Sequence, residues 1–136
     1  MKTVFNIFEQ ISKTNSRNEK EDILKQNADN ELLKKVLEYT YNPFKIYGIG
    51  EKSFKDADIA EVSDLNIIQL LDYLLENNTG TDYNKLVVNT FILSQPEEDR
   101  VWYKRIILKD LKIGITESTI NKVFPALVPT FNYANQ

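Results

Sequence analysis

Apolar residues recur along this chain at intervals of three and four, and this spacing constrains the fold more than any other feature. Val4, Ile7, Phe8 and Ile11 follow the i, i+3, i+4, i+7 pattern of one helix face. Similar stripes continue as far as Phe124, separated by polar, glycine or proline breaks, with no hairpin signal between them. The pattern predicts an all-α fold, a single irregular bundle of about seven helices.

The residues between the stripes predict where helices begin and end. Ser16 is followed three residues later by Glu19, which is a capping-box pattern. Pro43 is expected to end the third helix, Pro96 suits the first turn of the sixth, and Gly114 is expected to end the sixth. The other predicted N-caps are Asn30 or Asp29, Ser63 or Asp64, and Thr116 or Ser118.

Charge is distributed unevenly along the chain. Residues 100–136 contain six basic and two acidic side chains, a net charge of +4, whereas residues 1–99 contain eleven basic and eighteen acidic side chains, a net charge of −7. A basic segment on an acidic protein is suited to contact with a polyanion, and it equally suits a solvated helix face.

Cysteine and histidine are both missing from the sequence. Their absence excludes disulfides, thiolate nucleophiles, Cys/His zinc sites and imidazole bases. Residues 42–60 have little helical signal, and we expect them to form a long loop; Asp56, Asp58 and Glu61 cluster at its end. An acidic run in a loop is more typical of solvated surface than of catalysis, so we predict no catalytic residue.

The sequence contains no targeting or membrane-spanning segment. Its start lacks the apolar stretch of a signal peptide, and no apolar run approaches the roughly 20 residues of a transmembrane helix. We therefore expect a soluble, cytoplasmic protein without a membrane partner.

Residues 109–122 join a basic helix to a second helix through one glycine. Gly114 permits positive φ and close backbone approach, and the N–H groups of residues 116–119 can receive a phosphate at the start of the next helix. The hydroxyls of Thr116, Ser118 and Thr119 add hydrogen-bond donors. Modules that grip the duplex backbone without reading sequence have this geometry, although a plain helix connection requires the same residues.

Three segments in order carry a family resemblance. Leu108-Lys-Asp-Leu-Lys-Ile-Gly114 is followed by Asn121-Lys-Val-Phe-Pro-Ala-Leu-Val-Pro129, and residues 30–43 and 70–80 supply two earlier landmarks. Together they resemble the N-terminal DNA-binding domain of ATP-dependent DNA ligases, especially those of T-even-type phages. The resemblance covers nearly the whole chain.

The resemblance implies that residues 1–129 form a monomeric domain lying across the minor groove of double-stranded DNA on both sides of a nick, in replication, repair and recombination. Residues 130–136 would be a polar tail or the start of a linker to a nucleotidyltransferase domain, the implied protein partner. The implied DNA contacts are Lys104, Arg105, Lys109, Lys112, Gly114, Ile115, Thr116, Ser118 and Lys122. Further candidates, for which no motif can be aligned, are Lys45, Lys52 and Ser53.

One departure from the ligase family concerns catalysis. The family's nucleophilic lysine lies in a Lys-x-Asp-Gly motif of the nucleotidyltransferase domain, and no such motif occurs in this sequence. ATP and magnesium are therefore expected cofactors of a full-length ligase, and no cofactor is expected in this chain. The chain is either the amino-terminal part of a ligase or a freestanding relative that only grips DNA.

An alternative reading is a freestanding helical module that binds another protein. The loop over residues 42–60 is rich in large apolar side chains, which either form a docking surface or belong to the core. These side chains are Phe44, Ile46, Tyr47, Ile49 and Phe54.

The missing Lys-x-Asp-Gly motif leads to a direct test. We expect the chain to form no covalent adenylate with ATP and magnesium, because it lacks the lysine that the family uses as nucleophile. Intact-mass spectrometry after incubation measures this, and an added adenylyl group would contradict the prediction.

Overall fold

The computed structural model describes residues 1–54, 62–77 and 81–130, and all regular structure in these ranges is helical. The seven α-helices there are α1 (Lys2–Ser12), α2 (Arg17–Gln26), α3 (Glu31–Tyr41), α4 (Ile67–Glu76), α5 (Asp82–Leu93), α6 (Arg100–Leu108) and α7 (Glu117–Val123). Short 3-10 turns cover Glu51–Ser53 and Glu97–Asp99. The predicted all-α class with about seven helices is confirmed.

Several expectations fall on residues outside the described ranges. They are the acidic cluster of Asp56, Asp58 and Glu61, the landmark around Thr79 and Gly80, and the polar tail from residue 131 onward. Within the described ranges, none of the helices combines the length and the apolar character that crossing a bilayer requires.

The chain divides into two compact units. The first unit comprises residues 1–44 and 111–136, with α1, α2, α3 and α7, and the second comprises residues 45–110, with α4, α5 and α6. Helical spacing did not predict this division, because it identifies the inward face of a helix but not the helices against which that face packs.

The core of the first unit follows the predicted stripes. In this unit α2 packs against both α1 and α7. Leu24 of α2 and Ile120 of α7 are fully buried. The face that α1 buries consists of Val4, Phe5, Ile7, Phe8 and Ile11.

In the second unit the buried faces of two helices are rotated from those predicted. Leu86 of α5 was expected inside and is 60% exposed, whereas Asn84 is buried and accepts a 2.9 Å hydrogen bond from the Tyr73 hydroxyl. Val101 of α6 was also expected inside and is 45% exposed, while Tyr103 is buried against Phe91 in an edge-to-face contact. The hydropathy pattern predicted aliphatic side chains on these buried faces. A hydrogen-bonded asparagine and a tyrosine in an aromatic contact are buried there instead.

Two predicted N-caps in the first unit are confirmed. The Ser16 hydroxyl accepts the Glu19 N–H at 3.3 Å, and the Asn30 side chain accepts the Leu33 N–H at 2.9 Å. The Glu19 carboxylate does not complete the capping box, because it accepts the Thr14 hydroxyl at 2.6 Å.

The predicted start of α4 at Ser63 or Asp64 is wrong. Asn66 is the N-cap, and it exchanges two hydrogen bonds with Gln69 to form a complete capping box. The Ser63 hydroxyl instead accepts the Leu65 N–H at 3.2 Å, a local turn that competes with helix formation.

The predicted end of α6 at Gly114 is also wrong. The helix ends at Leu108, where Lys109 adopts the left-handed conformation and the Asp110 N–H donates to the Arg105 carbonyl at 2.9 Å. Leu111 and Ile113 beyond this point are both buried. Burying both requires the helix to stop, because residues two apart in a helix lie on opposite faces.

Candidate nucleic-acid interface

Residues 111–116, which we call the anchored segment, alternate between buried and exposed side chains in the first unit. Leu111, Ile113 and Ile115 are buried. The exposed residues between and after them are Lys112, Gly114 and Thr116. This alternation turns a positive side chain, a glycine and a hydroxyl toward solvent. Ile115, a predicted DNA contact, faces inward.

The anchored segment contains two left-handed backbone positions. Lys112 has φ of +58° and Gly114 has φ of +72°. Glycine adopts this conformation at no steric cost, whereas lysine does not. The Lys20 ammonium of α2 donates to the Ile113 carbonyl at 2.9 Å and approaches the Gly114 carbonyl at 3.4 Å. A Cβ added to Gly114 would collide with this ammonium.

The start of α7 only partly matches the predicted phosphate seat. Thr116 is the N-cap as predicted, and its hydroxyl accepts the Thr119 N–H at 3.4 Å. That N–H is therefore used within the helix, and Thr119 is buried. Ser118 is exposed, but Glu117 beside it is exposed as well and places a carboxylate in the first turn. A carboxylate in the first turn stabilises the helix through its dipole. It also repels a phosphate that approaches the same helix end.

A buried carboxylate lies beside two basic side chains where α2 packs against α7. Glu21 is 7% exposed, and its Oε1 lies 3.5 Å from both Arg17 Nε and Lys122 Nζ. Nearby cations stabilise a carboxylate that is removed from water. Lys122, a predicted DNA contact, thus has a structural role as well, although its side chain remains largely exposed.

A shallow depression of about 170 Å³ opens between α2 and the anchored segment. Arg17 and Lys20, one helical turn apart, supply its positive charge. Sequence reasoning missed both residues because they precede the turn by more than 90 positions. The only available signal was two basic residues at i, i+3 next to a predicted helix start. The full lining is Asn15, Arg17, Lys20, Gly114, Thr116 and Thr119.

The other three predicted basic contacts lie in the second unit and pack on aromatic rings. Lys104 Nζ lies 5.6 Å from the Phe54 ring centre, and the Arg105 guanidinium lies 4.9 Å from that of Trp102. These are cation–π distances. Both side chains are half-buried by these aromatic contacts. The sequence predicted instead that they project from the helix.

Lys109 is bound within the second unit. Its ammonium donates to the Lys45 carbonyl and lies 5.4 Å from the Tyr47 ring centre. Of the loop candidates, Lys52 is exposed, whereas Ser53 is buried and its carbonyl accepts the Asn89 amide at 2.8 Å.

Among the titratable groups in the described part of the second unit, Tyr103 has a shifted pKa. Burial, with a smaller contribution from Asp99, raises the pKa of the Tyr103 hydroxyl above its usual range, so this group is neutral at physiological pH. Within residues 1–54, 62–77 and 81–130, no group of three acidic side chains is arranged to bind a metal ion.

Comparison with known proteins identifies relatives over nearly the whole chain. The DNA ligases of Enterobacteria phages T4 and T6 are each 28% identical over 134 residues, which cover 93% of this chain. The chain is related to DNA ligases. It spans about 27% of the length of these two relatives. No protein-family model matches the sequence.

A solved structure shares the fold of this ligase-related chain. The protein named Pmar-Lig_PreS3 superposes with a TM-score of 0.69 at 20% sequence identity, covering 92% of this chain and 31% of that protein. The resemblance to ligases predicted from the sequence is confirmed, and the individual contact residues remain predictions.

The geometry at Gly114 predicts a specific loss of stability on adding one methyl group. Gly114→Ala should lower the free energy of unfolding by about 1–2 kcal/mol, because alanine disfavours positive φ and its Cβ would displace the Lys20 ammonium. Gly50→Ala is the matched control, since a Cβ there meets nothing within 4 Å and φ is −101°. Urea denaturation measures both, and equal stabilities of the two variants would contradict the prediction.

The buried Glu21 predicts a second effect on stability. Lys122→Ala should lower the free energy of unfolding by about 1 kcal/mol, because it removes one of the two cations beside a desolvated carboxylate. Adding Glu21→Gln should cancel part of this loss, since the amide needs no cation. A thermodynamic cycle of the single and double variants measures the coupling, and strictly additive losses would argue against an ion pair.

Proposed function

We propose that this chain is the DNA-binding domain of an ATP-dependent DNA ligase, and that it binds double-stranded, nicked DNA without sequence preference. Contact would be made with the minor groove and the phosphate backbone. The proposal is supported by the relation to the phage ligases over 93% of the chain. It assigns the chain to the replication, repair and recombination of DNA in the cytoplasm of a host cell.

The observation that carries the proposal is the outward face of the anchored segment. Lys112 presents a positive charge and Thr116 a hydroxyl, while Gly114 between them has no side chain. The Lys20 ammonium lies where a side chain at Gly114 would begin, so the turn brings two ammonium groups and a hydroxyl together, and such donors suit phosphate oxygens. Contacts of this kind position a protein on the duplex but carry little sequence information, which is consistent with a ligase that acts at any nick.

Catalysis would belong to a separate domain. In the proposed ligase, a nucleotidyltransferase domain supplies the lysine that accepts adenylate from ATP in the presence of magnesium. The present chain binds the DNA. We propose that the chain itself acts as a monomer without a cofactor, and that the nucleotidyltransferase domain is its partner.

One observation favours a second candidate function, which is docking of another protein. Phe44 is 62% exposed and Ile46 is 58% exposed. Tyr47 and Ile49, which belong to the same predicted docking loop, are buried. Phe54, the fifth proposed residue, is half-buried, and an apolar contact through the exposed residues would depend little on salt.

The proposed function is tested most directly at Lys112. Fluorescence anisotropy with a short nicked duplex, measured from about 50 to 200 mM salt, should show binding that weakens steeply as salt rises. Lys112→Ala should weaken binding similarly for all duplex sequences and reduce the salt slope by about one, because one phosphate contact is lost.

Lys35→Ala is the matched control for this experiment. Lys35 is exposed on α3, beside Glu31 and Glu38 in a different depression of the first unit. Its removal changes the net charge equally and should leave the salt slope unaltered. Failure of the parent chain to bind duplex at low salt would refute the proposed function. Identical slopes for the Lys112 and Lys35 variants would remove the anchored segment from the interface.

A further inference from the structure

The depression between α2 and the anchored segment brings together groups from two distant parts of the sequence. Arg17 and Lys20 line it from α2, and Gly114 and Thr116 line it from the anchored segment. No carboxylate is among its lining residues in the part of the chain that the structure describes. Two cations, a backbone position without a side chain and a hydroxyl favour an anionic group with several oxygen acceptors.

Both cations lie beside groups of the first unit before any ligand binds. The Lys20 ammonium is bound by the carbonyls of Ile113 and Gly114, and these carbonyls use at most two of its three donors. The Arg17 guanidinium lies beside Glu21 through its Nε, and an arginine has four further N–H donors on its Nη atoms. The Lys20 side chain, restrained in this way, loses less conformational entropy when a ligand binds, whereas the Arg17 side chain is 60% exposed.

The volume of the depression suits a single phosphate group. It measures about 170 Å³, and an engineered protein cavity of roughly 150 Å³ is large enough for benzene. Phosphorus with its four oxygens has fewer heavy atoms than that ring. The depression is open to solvent, so the two ester oxygens of a phosphodiester can continue outward into a polymer.

We propose that Arg17 and Lys20 of α2 form a backbone-phosphate subsite with Gly114 and Thr116, so that the DNA interface extends from the anchored segment onto α2. The inference rests on the proposed function and deepens it, because it adds a helix in which the sequence predicted no contact. Glu21 lies beside the Arg17 Nε and is not part of the subsite.

Neutralisation of Arg17 tests the subsite. Arg17→Gln should weaken binding of a short nicked duplex several-fold at low salt and reduce the salt slope by about one. Lys25→Gln is the matched control, since Lys25 is an exposed residue of the same helix about 12 Å further along its axis. The control should bind with the parent's affinity and slope, and thermal unfolding shows whether each variant is folded.

A measurement on the unmodified chain keeps the test independent of any variant. When labelled protein is titrated with the duplex, the NMR resonance of the Arg17 Nε–H should shift together with the Gly114 amide. A parent that binds, with a Gly114 shift but an unmoved Arg17 resonance, would overturn the subsite and leave the proposed function standing. Equal salt slopes for Arg17→Gln and Lys25→Gln would also overturn it, whereas a parent that fails to bind refutes the function itself.

Discussion

The hydrogen bonds from Lys20 to the carbonyls of Ile113 and Gly114 are the constraint on which the first unit's candidate site depends. The anchored segment has left-handed backbone at Lys112 and Gly114, so its carbonyls cannot be paired as in a helix or a sheet. Backbone acceptors left without partners are costly when they are shielded from water. A single ammonium on α2 donates to two of these carbonyls, just before α7 begins.

Packing between α2 and α7 places further charged groups around the same turn. Glu21 is buried where these helices meet, and Arg17 and Lys122 approach one of its oxygens from either helix. A buried acid beneath a basic surface has a clear physical effect. It attracts the long cationic side chains of Arg17 and Lys122, both of which remain largely exposed. The same carboxylate therefore connects the stability of the unit with the preparation of its proposed DNA surface.

The basic residues of the C-terminal third have two different structural roles. Lys112 is exposed in the first unit, as a residue that contacts a polyanion must be. Lys104, Arg105 and Lys109 lie in the second unit against aromatic rings. The net charge of residues 100–136 thus does not describe a single surface. The net charge of a segment indicates how strongly it attracts a polyanion at long range. Direct contacts with the polyanion depend on which basic side chains are exposed to solvent.

The sequence by itself determined the helical class, most helix positions and the ligase resemblance, because these depend on local spacing and on short motifs. The stripe of α1 and the caps at Ser16, Asn30 and Thr116 required no knowledge of distant residues. Only the tertiary structure decided that α6 ends at Leu108, since burial of Leu111 and Ile113 overrides helical propensity there. The tertiary structure also brings Arg17 and Lys20 next to Gly114. Both residues are more than 90 positions from Gly114, so their contact with it arises from packing and cannot be predicted from local periodicity.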